Sequence, residues 1–139
     1  MNASELRIGN FVNTQIGERV IVGISKTAIT HIKGYNIETL EMDKTSDVLP
    51  IPLTEELLLR FGFTNIDKSN IYVKSMHEIG AVKLKSLAVY IDENNYTVAI
   101  VDYYTGVEKT DLLHLDYKYV HQLQNLYFAL VGEELHAKS

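Results

Sequence analysis

The sequence predicts an α+β protein in which a small strand-rich half is followed by an α-β-β-β-α half. Three observations lead to this fold class. Short apolar stretches separated by glycine turns fill the first 49 residues. A segment bounded by Pro50 and Pro52 then precedes a well-marked helix, and residues 116–135 form a long amphipathic helix near the end. We therefore divide the chain into residues 1–49 and 50–139, and expect the two parts to form one compact unit.

The N-terminal half is expected to contain four short strands. Residues 6–12 alternate apolar and polar side chains, as a half-buried strand does, and residues 19–24 and 28–32 are rich in β-branched side chains. Alternation resumes at residues 35–42, after a turn at Lys33 and Gly34. Short strands joined by glycine turns are typical of a small curled sheet, so this half is predicted to resemble an SH3-like barrel.

The helix that follows the two prolines has both of its ends marked in the sequence. Thr54 suits the N-cap position, and two glutamates follow it in the first turn, where the helix dipole favours negative charge. Gly62 suits a left-handed position just after the helix, which predicts that Phe63 folds back toward Leu58.

Three or four antiparallel strands are expected between this helix and the last one. The segment Asp92-Glu93-Asn94-Asn95 predicts a hairpin turn, and Thr105-Gly106 predicts another. The third strand is apolar or aromatic on both sides and should lie inside the sheet, whereas the fourth suits an edge. We expect these strands at residues 71–74, 82–91, 96–104 and 107–115. The C-terminal helix, which Gly132 ends, should pack on this sheet.

The last helix has one apolar side and one neutral side. At about 100° per residue, its apolar side chains fall within an arc of about 140°, which suits packing on a sheet. The opposite side is almost free of charge, and interface cores are similarly depleted in Lys and Glu. This side is therefore a candidate interaction surface, formed by His121, Gln122, Asn125 and Phe128. An outer helix side that carries amides without any binding role is the alternative, and it is the more common case.

No group of residues in the sequence forms a recognisable catalytic, cofactor or metal site. The histidines lack the helical pairing that presents two imidazoles to one zinc ion. They are His31, His77, His114, His121 and His136. There is no cysteine, no glycine-rich phosphate loop and no nucleophile elbow. We therefore predict no cofactor, no metal and no catalytic residue. An enzyme stays open as the least favoured alternative, and it would require a deep pocket lined by a coupled His and carboxylate.

Charge and composition restrict the expected partners and location. A net charge of −5 argues against a protein that coats nucleic acid, which requires clustered Lys and Arg. Nucleic-acid or small-ligand binding through the N-terminal half stays open as an alternative, because this half contains Arg7, Arg19, Lys26 and Lys33. The lack of cysteine, of a leader and of any apolar run near the roughly 18 residues of a membrane span predicts a cytoplasmic protein without membrane association.

Three segments of the chain form a recognisable set: LRIGNFV at residues 6–12, PIPLTEELLLRFGF at residues 50–63 and YVHQLQNLYFALVGEEL at residues 119–135. Together they resemble a family of uncharacterised small proteins of Bacteroides-type bacteria and their phages. The third segment is the most specific, and residues 64–115 show no pattern of the family. The resemblance implies a phage, prophage or mobile-element setting, and it implies no activity and no catalytic residue.

Together these features predict a non-enzymatic accessory protein of a phage or mobile element that binds another protein or a second copy of itself. Besides the charge-poor helix side, seven of the nine tyrosines lie between Tyr90 and Tyr127. Tyrosine combines apolar area with a polar tip and is favoured at binding surfaces. It is also a common strand residue, and this structural use is the simpler explanation.

Overall fold

The computed structural model describes residues 3–76, 84–93, 95–104 and 107–138. The chain divides into two compact units. The first consists of Met1–Pro52 with Tyr119–Asn125, and the second of Leu53–Lys118 with Leu126–Ser139. The C-terminal helix thus supplies its first half to one unit and its second half to the other.

The first unit is built on a four-stranded antiparallel sheet in which neighbours in sequence are neighbours in space. Its strands are β1 (Phe11–Thr14), β2 (Gly17–Ile24), β3 (Ala28–Lys33) and β4 (Asn36–Lys44). A short 3-10 turn, Thr45–Asp47, follows β4. The chain then returns to β1, where Asn13 and Leu49 exchange two backbone hydrogen bonds of 2.9 Å. The buried apolar cluster of this unit comprises Leu6, Val12, Ile21, Ile29 and Val48.

The first strand begins later than the alternation of residues 6–12 predicts. Gly9 has a φ of 97° in the left-handed region, and the Asn10 N–H donates to the Arg7 carbonyl at 3.0 Å. The Asn10 side chain accepts a hydrogen bond from the Arg7 N–H at 2.7 Å. These local bonds form a turn before β1, so the alternation of residues 6–10 does not correspond to a strand.

The second unit begins with helix α1 (Glu55–Arg60), whose predicted ends are confirmed. The Thr54 hydroxyl accepts a hydrogen bond from the Leu57 N–H at 3.2 Å, as an N-cap does. Gly62 has a φ of 90°, and the Phe63 N–H donates to the Leu58 carbonyl at 3.0 Å. This is the Schellman ending that the sequence predicts.

The sheet of the second unit has five antiparallel strands rather than three or four. They are β5 (Thr64–Asn65), β6 (Ile71–Ser75), β7 (Leu84–Asp92), β8 (Asn95–Tyr104) and β9 (Val107–Asp116), arranged in chain order. β8 therefore lies inside the sheet and β9 at its edge, as expected. The two-residue β5 is too short to show alternation in sequence. Asn94, the turn at Thr105-Gly106 and the expected strand start at residues 82–83 lie outside the described residues.

The C-terminal helix α2 (Val120–Val131) is shorter than residues 116–135. Asp116 still belongs to β9, where its carboxylate accepts a hydrogen bond from the Thr97 hydroxyl at 3.2 Å. The Tyr119 N–H donates to the Gln122 side-chain oxygen at 3.1 Å, which marks the start of the helix. Gly132 ends it with a φ of 78°, as predicted.

Two antiparallel sheets with the helices α1 and α2 make this a mixed α+β protein, as the sequence predicts. In the second unit Tyr127 of α2 is buried. The Lys74 Nζ, on β6, stands 5.9 Å from the centre of the Tyr127 ring. This is within the range of a cation–π contact.

Candidate functional site

The neutral side of α2 makes hydrogen bonds within the first unit. The Asn125 side-chain oxygen accepts from the Asn10 Nδ2 at 2.7 Å and from the Arg7 Nε at 3.2 Å. Its amide nitrogen donates to the Glu5 carbonyl at 3.2 Å. Every polar atom of the Asn125 side chain thus has a partner in the N-terminal segment.

Gln124 performs a similar role one residue earlier. Its Oε1 accepts a hydrogen bond from the Phe11 N–H at 2.7 Å, and its Nε2 donates to the Gly9 carbonyl at 3.2 Å. The side chain is buried, so these bonds satisfy backbone groups that water does not reach. Gln124 is not among the four residues of the interaction surface that the sequence predicts. A buried amide that serves the backbone explains why α2 carries Gln and Asn there instead of Lys and Glu.

His121 is buried on the same helix. It is 5% exposed, and its ring stacks on Tyr119 with 5.9 Å between ring centres and 13° between ring planes. Its Nδ1 makes no hydrogen bond within the described part of the chain. Burial lowers the pKa of His121, and the nearby Glu5 carboxylate offsets part of that shift. A neutral imidazole is therefore the favoured state of this side chain.

The four residues of the predicted interaction surface occupy different environments. His121 is buried, Gln122 and Asn125 are partly buried in the first unit, and Phe128 is 38% exposed and belongs to the second unit. The structure therefore does not bring them together as one exposed patch. Their role in binding a partner stays a prediction.

A buried polar chain that the sequence did not reveal connects β2, β3 and β4. The Arg19 Nε donates to the His31 Nδ1 at 3.0 Å, and the His31 Nε2 lies 2.7 Å from the Asp43 Oδ2. A guanidinium nitrogen can only donate, so the His31 Nδ1 must accept and the ring proton must lie on Nε2. The Arg19 Nη2 donates in addition to the Thr39 carbonyl.

This histidine and carboxylate do not make a catalytic pair. His31 is 0% exposed, and both of its ring nitrogens are occupied by Arg19 and Asp43. A general base needs a nitrogen within reach of a substrate proton, and His31 has none available. The pairing could have been found from the hairpin register, because a turn at Gly34 brings residues 31 and 43 onto adjacent strands. The Arg19–His31–Asp43 chain instead fixes three strands to one another.

The other histidines do not change this picture. No group of three or more His, Cys, Asp or Glu side chains close enough to hold a metal ion occurs among the described residues. His77 lies outside the described residues, and so does the side chain of His114.

The outer edge of β4 is exposed in the first unit. In the described part of the chain β4 pairs with β3 on one side and with no strand on the other. Leu40 is 50% exposed and Met42 is 68% exposed on this strand. Glu38 and Lys44 lie on the same face as these two and are also exposed, because alternate residues of a strand share a face. The edge thus combines unpaired backbone with apolar and charged side chains.

The four cations proposed for nucleic-acid or small-ligand binding do not form one surface group. Arg19 is buried, and Arg7 is partly buried with its Nε directed at Asn125. Lys26 and Lys33 are exposed. Because phosphate binding depends on several accessible cations, the structure lends this alternative little support. A salt-sensitive gel shift that charge reversal of Lys26 and Lys33 abolishes would restore it.

Comparison of the chain with protein-family models, with curated proteins and with solved structures gives no match. The resemblance to the family of Bacteroides-type bacteria and their phages therefore stays a prediction. Among the described residues, no helix is both long enough and apolar enough to span a membrane.

Proposed function

We propose that the protein is a non-enzymatic binding protein that holds a partner protein along the outer edge of β4. One observation carries the proposal: a nine-residue strand, open on one side within the described structure, exposes Leu40 and Met42. An open strand edge presents unpaired N–H and C=O groups that an extended segment of another protein can pair with. The backbone supplies affinity, and side chains on alternate positions supply selectivity.

The charged side chains of β4 support the idea that its edge binds a partner selectively. Glu38, Glu41 and Lys44 are all exposed on the strand. Charged side chains on an edge strand oppose unselective strand addition, because a partner with the wrong charges would bring like charges together. A partner is therefore expected to place a basic or neutral residue opposite Glu38.

The same proposal includes a biological setting for the protein and a more specific fold for the first unit. The phage, prophage or mobile-element setting depends on the family resemblance alone. For the fold, we propose that the first unit is a small SH3-like barrel. Support comes from the strand order, from the 3-10 turn Thr45–Asp47 and from the two hydrogen bonds that bring Leu49 back to Asn13 on β1. Such a return reduces the open edge of a curled sheet.

The proposal is tested by selecting extended peptides from a display library on the full-length protein. Affinity is then compared by fluorescence anisotropy for wild type, Met42→Lys and Ile16→Lys. Met42 and Ile16 are both exposed apolar residues, but Ile16 lies in the β1–β2 turn. We expect Met42→Lys to weaken binding about tenfold and Ile16→Lys to leave it unchanged.

Amide hydrogen exchange locates the bound peptide independently. We expect the amides of Met42 and Lys44 to gain protection when the peptide binds. Selected peptides that bind both lysine variants equally, or that protect α2 instead of β4, would contradict the proposal.

A further inference from the structure

Successive residues of β4 direct their backbone N–H and C=O groups alternately toward β3 and away from it. The β3–β4 register shows which residues do which. The Thr45 N–H donates to the Thr27 carbonyl at 2.9 Å, and Asp43 and Glu41 lie opposite Ile29 and His31. Hydrogen-bonded and non-hydrogen-bonded pairs alternate in an antiparallel ladder, so Asp43 and Glu41 direct their backbone groups toward β3. Met42 then directs its N–H and C=O outward, to the open edge.

The side chains of β4 are complementary to those of a second β4. Around Glu41 the strand is nearly symmetric: Leu40 and Met42 flank it, and Glu38 and Lys44 stand three residues away on either side. When two copies are aligned antiparallel with Glu41 facing Glu41, each Leu40 opposes a Met42. Each Glu38 then opposes a Lys44. Each of these cross-strand pairs favours association.

Neighbouring registers lack this match. Centring the pairing on Leu40 places Glu38 opposite Met42, a charge against an apolar side chain. Centring it on Met42 places Glu41 opposite Asp43, which are like charges, and Leu40 opposite Lys44. Only the register centred on Glu41, among these three, pairs opposite charges and pairs apolar side chains on the same face.

We propose that the partner of the β4 edge is a second copy of this chain, paired antiparallel about a two-fold axis at Glu41. The inference rests on the proposed function, for which it names the partner. A two-fold axis uses the same surface of both copies, so each favourable pair occurs twice. The cost of the arrangement is the Glu41–Glu41 contact on the axis, where two like charges face each other.

The test measures the dimer dissociation constant of the full-length protein by sedimentation equilibrium from micromolar to millimolar concentration. Glu38→Lys and Lys44→Glu should each weaken the dimer about tenfold, because each turns two opposite-charge pairs into like-charge pairs. The double variant Glu38→Lys/Lys44→Glu should return to within about threefold of wild type. Glu41→Gln should tighten the dimer about threefold, because it removes the repulsion on the axis.

Lys26→Glu is the matched control, since Lys26 is exposed in the turn between β2 and β3 and is not part of β4. It should leave the dissociation constant unchanged. A double variant as weak as the two single variants would overturn the inference, as would a dimer that none of the β4 variants affects.

A protein that stays monomeric at millimolar concentration also overturns the inference. If that monomer binds selected extended peptides at β4, the proposed function stands and only the identity of the partner is wrong. If it binds no such peptide, the proposed function fails as well.

Discussion

Gln124 and Asn125 use their amides to complete the hydrogen bonding of a backbone turn. At the turn before β1, Gln124 bonds to both the Gly9 carbonyl and the Phe11 N–H. Amides suit this task because one side chain both donates and accepts without carrying a charge into the interior. A lysine or glutamate at the same position would have to be desolvated.

The first residue-scale prediction concerns Gln124. Gln124→Met keeps the volume but removes the partners of the Phe11 N–H and the Gly9 carbonyl. We expect the free energy of unfolding to fall by about 1–3 kcal/mol, measured by urea denaturation. Gln15→Ala, at an exposed amide in the β1–β2 turn, should change it by less than about 0.5 kcal/mol. Equal effects of the two substitutions would show that the Gln124 bonds do not matter for stability.

The second residue-scale prediction concerns the pH dependence of stability through His121. Burial holds its folded pKa below the ordinary value of 6.5, although Glu5 opposes the shift. As the pH falls, the unfolded chain therefore binds the proton before the folded chain does, and stability decreases. When the pH is lowered from about 7.5 to about 5, the free energy of unfolding, measured by urea denaturation, should fall less for His121→Phe than for wild type. Parallel curves for the two proteins would contradict this.

At the scale of elements, β4 has different roles on its two faces. Asp43 points to the interior face, where it joins the Arg19–His31–Asp43 chain, while Leu40 and Met42 point outward and are exposed. An interior charge on an edge strand is one way in which natural sheets limit unselective pairing. The same strand thus fastens the sheet on its inner face and offers a restricted surface on its outer face.

The prediction at this scale is that Arg19 and His31 are energetically coupled. His31→Leu removes the acceptor for the Arg19 Nε and leaves a buried charge poorly partnered, which should cost about 3 kcal/mol of stability. Arg19→Met in that background should cost little, because the charge that needed a partner is gone. A double-mutant cycle in urea measures the coupling, and additive effects of the two substitutions would contradict it.

At the scale of the whole molecule, α2 is shared between the units, because Tyr119–Asn125 belong to the first and Leu126 onward to the second. The first unit therefore needs residues that lie more than sixty positions after its own last strand, beyond the entire second sheet. A sequence boundary at residue 49 describes the order of the strands correctly but leaves out this distant contribution.

The prediction at this scale concerns fragments. Residues 1–52 alone lack Gln124 and Asn125, so the Phe11 N–H loses its bond to Gln124 and the Asn10 Nδ2 loses its bond to Asn125. We expect this fragment to be unfolded or much less stable than residues 1–52 joined by a flexible Gly/Ser linker to residues 119–131, because buried groups without hydrogen bonds are costly. Amide chemical-shift dispersion in two-dimensional NMR distinguishes the two. Equal dispersion and equal stability would show that the first unit is independent of α2.

Several elements were predictable because their causes are local. The α1 ends at Thr54 and Gly62, and the end of α2 at Gly132, follow from capping chemistry that a few adjacent residues determine. The strands β2, β3 and β4 follow from β-branched stretches and glycine turns. The start of β1 was predicted wrongly because alternation at residues 6–10 cannot be distinguished from a turn held by Arg7 and Asn10 without knowing their bonds.

The sequence by itself determined the α+β class, both ends of α1, the C-terminal end of α2 and the neutral side of α2, since propensity, capping and periodicity depend on near neighbours. Only the tertiary structure decided what that neutral side contacts, because Gln124 meets Phe11 across 113 positions of chain. It also decided that Arg19 and His31 are buried partners and that, among the described residues, no strand pairs with the outer edge of β4. Which strand edge is left unpaired depends on how the whole sheet is assembled, and no local pattern within β4 specifies it.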